Sequence, residues 1–161
     1  MRPISGRLPA SRSPPQPKTT QSAPVHDCLS ALSALKQSCN GALWVVFGCG
    51  GDRDAGKRPE MGRIADSLAD QLVVTNDNPR SESPEMIAED ILVGITGSAS
   101  KVELDRGAAI RHAVLNARSG DTVLVAGKGH ENYQLVGKNK LDFSDVSCAA
   151  EALREREAAH D

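Results

Sequence analysis

Apolar residues occur along this chain in two alternating patterns from residue 27 onward. Short runs of neighbouring apolar residues are typical of buried parallel strands, and between them apolar residues recur three and four positions apart, as on one face of a helix. The runs predict strands over 43–47, 72–75, 101–104 and 122–126. Strands separated by helices of about 10–15 residues indicate βαβ units with right-handed crossovers. The pattern therefore predicts an α/β fold with an open, mostly parallel sheet flanked by helices.

Five helices are expected around this sheet, each with one inward face. The inward positions are predicted to be Cys28, Leu32, Leu35 and Cys39 in the first helix; Met61, Ile64, Ala65 and Leu68 in the second; Ile87, Ile91 and Ile95 in the third; Ile110, Ala113, Val114 and Ala117 in the fourth; and Val146, Ala149, Ala150 and Leu153 in the fifth. Asn40-Gly41 would end the first helix, and Ser83-Pro84 would begin the third as cap and first position. A short hairpin near the C-terminus, over 133–143, completes the predicted fold.

Residues 1–26 differ in composition from the rest of the chain. Pro, Ser, Arg, Gln and Thr dominate this segment, so burial cannot offset the entropy lost on ordering. The segment lacks the apolar centre of a signal peptide and the amphipathic periodicity of a transit peptide. We expect a disordered or non-homologous lead-in over 1–26 and one folded domain over 27–161.

Composition argues against several classes of function. The chain of 161 residues has a net charge of −2, which gives no long-range attraction to nucleic acid or anionic membranes. Its 2% of aromatic residues offers few stacking platforms for single strands, and no apolar run approaches the roughly 20 residues of a membrane span. Four cysteines without CxxC spacing favour reduced thiols and a cytoplasmic location. We expect no nucleic-acid partner, no membrane partner and no metal site.

Three polar loops follow predicted strands and should meet at one edge of the sheet, where open α/β sheets bind ligands. The first loop, over 48–59, nearly matches a phosphate-binding loop, but Arg58 stands where a Ser or Thr hydroxyl must meet magnesium. Arg53 stands where a dinucleotide-binding fingerprint requires its third glycine. The alternative for this loop is a glycine-rich turn with solvated charges.

The other two loops add complementary charges. One is the turn over 77–80 after the second strand, and the other spans 127–131 after the fourth. Arginine can grip a carboxylate with two parallel hydrogen bonds, Glu131 can accept from an ammonium group, and Gly127 lets the backbone approach a ligand. A receptor for a small zwitterionic molecule is predicted from Arg53, Arg80, Asp77 and Glu131. The alternatives are an Asx-Pro turn at 77–80 and a structural role for His130; no catalytic triad is recognisable.

Three sequence blocks resemble the C-terminal domain of the diaminopimelate-adding Mur ligases. They are GCGGDRDAGKRPEMG at 48–62, VVTNDNPRSESP at 73–84 and LVAGKGHENYQ at 124–134. The similarity runs from about residue 29 to the C-terminus and includes Asp105-Arg106 and residues 141–145. The resemblance implies a Rossmann-like fold. It also implies a meso-diaminopimelate site formed by Arg53, Asp77, Asn78, Pro79, Arg80, Gly127 and Glu131.

The resemblance further implies the reaction to which such a domain contributes. These enzymes join meso-diaminopimelate to UDP-N-acetylmuramoyl-L-Ala-D-Glu in peptidoglycan biosynthesis, using ATP and Mg²⁺ to form an acyl phosphate that the amine attacks. Diaminopimelate differs from lysine by a second carboxylate, for which Arg80 is a fitting partner. A site built for that carboxylate could reject lysine by roughly 10⁴-fold. Lysine-adding relatives depart from arginine at this position, so diaminopimelate is the expected ligand.

Only the last of the family's three domains is recognisable in this sequence. Residues 20–26 stand where the family's hinge motif Asp-Tyr-Ala-His-Thr-Pro is expected. We therefore expect a fragment, from a frameshift, a mis-called start or a truncated gene, that binds the amino acid without a cofactor and does not catalyse alone. It would meet the UDP-muramoyl dipeptide only through the missing domains. The alternative is a stand-alone binding module for a zwitterionic amino acid.

Overall fold

Four parallel strands form the central sheet. The computed structural model describes residues 25–97, 100–128 and 131–159, with side chains from residue 32 onward. The strands are β1 (Leu43–Phe47), β2 (Gln71–Val74), β3 (Ser100–Val102) and β4 (Thr122–Val125), and they lie in the order β3-β2-β1-β4. The chain moves outward from β1 to β3 and then crosses to the other side of β1. A topological switch point therefore falls between β1 and β4, where open sheets place their ligands.

Helices cover both faces of the sheet. They are α1 (Val25–Ser38), α2 (Lys57–Leu68), α3 (Pro84–Leu92), α4 (Arg106–Asn116) and α5 (Asp145–Ala158). Alternate strand residues face opposite ways, so Val45 packs into a core with α1, α2 and α3, while Val46 packs into a second core with α4 and α5. The predicted α/β architecture is confirmed, and the strand positions agree with the prediction to within two residues. No helix in the described part of the chain is long and apolar enough to cross a membrane.

Most helix faces were predicted correctly. Leu32, Ile64, Ala65, Ile87, Ile91, Ile110, Ala113, Val114 and Ala117 are buried. The third helix begins at Pro84 with Ser83 as its N-cap, as expected, but it ends at Leu92, so Ile95 packs against the core from the following turn. The side chain of Cys28 lies outside the described residues.

The prediction for α5 was only partly correct, because Ala149 packs against the second core whereas the other three predicted inward positions are exposed. Val146 and Leu153 are 74% and 51% exposed, whereas Ala152 is 2% exposed and Asp145 is buried. The cause is an ion pair between Asp145 and Arg106 of α4, with Arg106 Nε 2.7 Å from Asp145 Oδ1. This contact fixes the rotation of α5 at its first turn, because an unpaired buried carboxylate would be costly. The ends of the apolar stripe seen in the sequence, Val146 and Leu153, therefore face outward.

A two-stranded hairpin lies beside the sheet. Strands β5 (Tyr133–Val136) and β6 (Asn139–Asp142) pair antiparallel, and Gly137 in the turn has φ +58°, a left-handed conformation that glycine adopts readily. The predicted hairpin is confirmed. Its first strand forms a bridge between Val136 and Arg80, which connects it to the loop after β2.

Candidate functional site

The loops after β1, β2 and β4 meet at the carboxyl edge of the sheet, as the sequence predicted. The backbone N–H of Thr75 donates to Phe47 O at 2.9 Å, and that of Ala126 donates to Val46 O at 2.9 Å, so all three strands end at one level. Beyond them, Gly51 N donates to Asn78 O at 2.8 Å and joins the first loop to the second. The sheet therefore fixes the position of each loop.

Gly51 is packed against the backbone of the turn over 77–80. A Cβ atom at this position would lie 1.8 Å from Pro79 O, which is backbone and cannot move aside easily. Pro79 itself is fully buried, and its fixed φ stiffens the turn. The first two loops are thus packed against each other, with Arg53 in the first loop and Arg80 in the second.

Arg80 has a left-handed backbone with φ +53°. That conformation costs an L-residue about 1–2 kcal/mol, and two hydrogen bonds with the hairpin hold it in place. The Arg80 N–H donates to Leu135 O at 3.1 Å, and Gly137 N–H donates to Arg80 O at 2.7 Å. The Arg80 guanidinium uses Nη1 to donate to Gly51 O at 2.9 Å and to Asn78 O at 3.2 Å. Among the described residues, its Nε and Nη2 have no hydrogen-bond acceptor and remain available to a ligand.

Arg53 and Arg80 approach the same point. A Cβ atom placed on Gly50 would lie 2.8 Å from Arg80 Nη1 and 3.7 Å from Arg53 Cγ. The Arg53 side chain is exposed and makes no hydrogen bond within the described ranges. Two arginines that lie beside the same loop attract an anion. A carboxylate is well matched to a guanidinium group, because it can accept two parallel hydrogen bonds from it.

Asn78 is the centre of a hydrogen-bond network in the site. It is 3% exposed, and its Oδ1 accepts from Leu135 N at 2.8 Å and from Lys128 Nζ at 3.0 Å. Its Nδ2 donates to Glu131 Oε2 at 3.0 Å. The amide therefore links the turn after β2 to the loop after β4 and to the hairpin, so it is more than the simple Asx-Pro turn that sequence alone left open.

Lys128 lies beneath the site, and sequence reasoning gave it no role. Its side chain is fully buried, with Nζ 2.8 Å from Tyr133 O and 3.2 Å from Asp77 Oδ1. The Asp77 carboxylate therefore has a cation of the chain itself beside it, although the Asp77–Lys128 contact is not aligned as a hydrogen bond. The only signal in the sequence was the position of Lys128 inside the third loop.

Unsatisfied acceptors line the end of β2. Thr75 Oγ1, Asn76 Oδ1 and Asp77 Oδ1 are buried and accept no hydrogen bond from any described residue. Buried oxygens usually have a donor, and Asp77 Oδ1 has the Lys128 ammonium group 3.2 Å away, although the contact is not aligned as a hydrogen bond.

Gly127 has a backbone conformation that side-chain-bearing residues rarely adopt, although a Cβ atom here would make only ordinary contacts with its neighbours. Its φ is +120°, and a Cβ atom would lie 3.6 Å from Gly48 O and 3.7 Å from Arg106 Nη2. Arg106 is 2% exposed and donates to Asn76 O at 3.3 Å and Ala126 O at 3.0 Å, in addition to its pair with Asp145. In the sequence, Arg106 is distinguished only by its place in the family resemblance. Its hydrogen bonds to Asn76 O and Ala126 O connect the second loop to the third.

Arg58 is buried, which further argues against a nucleotide-binding role for the first loop. Its Nη1 donates to Glu82 Oε2 at 2.8 Å and to Asp90 Oδ2 at 2.9 Å. The hydrogen bond to Glu82 raises the pKa of Arg58, and the hydrogen bond to Asp90 has a smaller effect in the same direction. The hydrogen bond from Arg58 also lowers the pKa of Glu82. Glu82 also accepts from the backbone N–H of Asp52. The charges of this loop are therefore only partly solvated, and Arg58 anchors it.

Two further expectations concern ligands of other kinds. No cluster of His, Cys, Asp and Glu in the described ranges could hold a metal ion. His130, for which a structural role was the alternative, lies outside the described residues.

Comparisons with known proteins agree with this architecture. A family model described as "Mur ligase, glutamate ligase domain" matches residues 22–129. The UDP-N-acetylmuramoyl-L-alanyl-D-glutamate–2,6-diaminopimelate ligase of Vibrio vulnificus (strain YJ016) is 46% identical over 156 residues, which cover 95% of this chain and 32% of that relative. A solved structure of a ligase with the same name is 41% identical with a TM-score of 0.78, and the match covers 85% of this chain and 28% of the other. The chain thus spans about a third of the length of these relatives.

Proposed function

This chain belongs to the Mur ligase family, of which it contains the C-terminal domain, and we propose that this domain binds meso-2,6-diaminopimelate through Arg53, the turn over 77–80, Gly127 and Glu131. The amino acid would be added to UDP-N-acetylmuramoyl-L-Ala-D-Glu in peptidoglycan biosynthesis, in the cytoplasm. The Vibrio vulnificus relative and the solved structure described above are both named as 2,6-diaminopimelate ligases, which supports this choice of ligand.

The observation that carries the proposal is the free part of the Arg80 guanidinium. Nη1 is fixed by Gly51 O and Asn78 O, so the fork is held in one orientation before a ligand arrives. A preorganised guanidinium loses little freedom on binding a carboxylate. Arg53 lies beside it and adds a second positive charge.

The other side of the site supplies acceptors for an ammonium group. Glu131 is hydrogen-bonded through Oε2 to Asn78, which leaves Oε1 for a ligand. Arg80 contacts the backbone carbonyl of Asn78, and Glu131 contacts its side chain. A carboxylate at Arg80 and an ammonium group at Glu131 would therefore both bind beside this one residue. Diaminopimelate carries this pair at each end, whereas lysine has only an ammonium group at its far end.

Within the complete reaction, the residues of this chain would bind and orient the amino acid. ATP with Mg²⁺ would supply the activation of the acceptor carboxylate, and we expect that step to require residues outside this chain. The lone chain, given ATP, Mg²⁺, diaminopimelate and the muramoyl dipeptide nucleotide, should hydrolyse ATP at the background rate. Turnover above that rate would contradict this division of roles.

Calorimetric titration tests the binding site directly. We expect the 161-residue chain to bind meso-diaminopimelate more tightly than L-lysine, and Arg80→Met to lose most of that preference because methionine keeps the stem and removes the fork. The matched control is Arg118→Met, an exposed arginine that precedes β4 at the opposite edge of the sheet. Equal preference in the wild type and Arg80→Met would remove the role assigned to Arg80. Binding of both amino acids without preference would instead favour a general zwitterion-binding module.

A further inference from the structure

We propose that Lys128 is a positioning residue, which holds the Asn78 amide so that the Glu131 carboxylate stays directed at an ammonium group of the ligand. The identity of the ligand in this inference rests on the proposed function, whereas the positions of the three side chains are those of the structure. Lys128 Nζ lies 3.0 Å from Asn78 Oδ1, and Asn78 Nδ2 lies 3.0 Å from Glu131 Oε2. The contact from lysine to glutamate thus passes through a single amide.

The hydrogen bonds of Asn78 determine which way its amide points. Oδ1 receives two donors, the Lys128 ammonium and the Leu135 N–H. A flipped amide would place its NH₂ group against both donors and its oxygen against the Glu131 carboxylate. All three contacts would become repulsive, since lysine and backbone N–H only donate and an ionised carboxylate only accepts. Lys128 therefore acts together with the Leu135 N–H to favour the orientation in which Asn78 donates to Glu131.

The surroundings of Lys128 match this role. Burying an ammonium group is costly unless it is paired and hydrogen-bonded, and three oxygens face Nζ, namely Asn78 Oδ1, Tyr133 O and Asp77 Oδ1. An apolar side chain of similar length could fill the same volume without that cost. Asp77 balances the charge, and Tyr133 O fixes the ammonium group to the hairpin.

The test must separate positioning from charge balance. Lys128→Met alone would leave the Asp77 carboxylate buried beside no cation, and the variant could fail for that reason. We therefore compare Asp77→Asn with Asp77→Asn/Lys128→Met, because both lack the carboxylate and differ only at the lysine. The control for the substitution itself is Lys101→Met, at an exposed position of β3.

Two ligands report on the ammonium contact. One is meso-diaminopimelate, and the other is 2-aminopimelate, which keeps both carboxylates and lacks one amino group. A charge-assisted hydrogen bond corresponds to roughly tenfold to hundredfold in affinity. Because Asp77 belongs to the proposed site, we expect Asp77→Asn to keep only part of the preference for diaminopimelate, at most about this factor, and the double variant to lose what remains, with little change for 2-aminopimelate. Equal weakening of both ligands, or an unchanged preference, would overturn the positioning role.

A measurement without ligand distinguishes this inference from the proposed function. Solvent exchange of the Asn78 side-chain amide protons, followed by NMR, should be slow in Asp77→Asn and about tenfold or more faster in the double variant, since the Glu131 contact is lost. If neither ligand binds the wild type, the proposed function fails, and the exchange rates alone then decide whether Lys128 positions Asn78. Unchanged exchange would overturn the inference. Should the methionine variant not fold, Lys128→Gln in the same background serves for both measurements.

Discussion

Replacing Arg106 should destabilise the fold far more than replacing Arg111, although both arginines join α4 to α5 by a two-pronged ion pair. Arg106 reaches Asp145 through Nε and Nη2, each at 2.7 Å, and the two side chains are 0% and 10% exposed. Arg111 reaches Glu155 with the same fork, but those side chains are 57% and 46% exposed. Burial is therefore the main difference between the two pairs.

The magnitude for Arg106→Met follows from the carboxylate left behind. Removing one partner of a buried pair costs about 3–5 kcal/mol, and the carbonyls of Asn76 and Ala126 also lose their donor. The free energy of unfolding of a whole domain is about 5–15 kcal/mol. For small proteins, this free energy falls by about 1–3 kcal/mol for each molar increase in urea concentration. The urea midpoint should therefore fall by roughly 2 M. Arg111→Met should leave the midpoint unchanged within error, because exposed pairs contribute little.

Urea unfolding followed by circular dichroism measures both variants under one condition. A third variant, Arg106→Met/Asp145→Leu, removes the stranded carboxylate and should recover part of the loss. Equal midpoints for Arg106→Met and Arg111→Met would refute the argument that burial determines the strength of these pairs. A double variant no more stable than Arg106→Met would show that the carboxylate is not the source of the cost.

Two further predictions concern the loops around the sheet. Gly51→Ala should lower the free energy of unfolding by about 1–3 kcal/mol, since its Cβ would collide with Pro79 O at 1.8 Å. The control is Gly56→Ala, in the same loop, where φ is −63°, an ordinary helical value, and the free energy of unfolding should change little. Urea unfolding of the two variants checks this difference. Hydrogen bonds from Thr96 lower the pKa of Asp66, so Asp66 stabilises the fold above its unfolded pKa of about 3.9 and loses that effect as the pH falls through the lower folded value. Asp66→Asn should therefore cost about 1 kcal/mol at pH 7 and show a shallower loss of stability below about pH 4, and thermal melts at several pH values would contradict this if both proteins lost stability in parallel.

The sheet and its loops could be predicted because their signals are local. A run such as 43–47 is apolar throughout, and the polar residues that follow it mark where the strand ends. Parallel strands with helical connections place their carboxyl ends on one side, so the meeting of the three loops followed from topology alone.

The buried charges could not be predicted in the same way. Lys128 is buried because oxygens from residues 77, 78 and 133 surround it, and those come together only in the fold. Arg58 is buried because Glu82 and Asp90 reach it from other elements. The error in the face assigned to α5, at Val146 and Leu153, has the same origin, since helical spacing identifies an apolar stripe but not the distant partner that decides the helix rotation.

The bridge between Arg80 and the hairpin has a consequence for protein engineering. Both backbone groups of Arg80 are bonded to residues 135 and 137, more than fifty positions later in the chain. Transplanting the Asn78-Pro79-Arg80 turn alone into a homologue would import the guanidinium without the strand that sets its backbone. Under the ligand-binding role proposed for Arg80, exchange of ligand preference between such proteins should therefore succeed only when residues 77–80 and 133–142 are grafted as a pair.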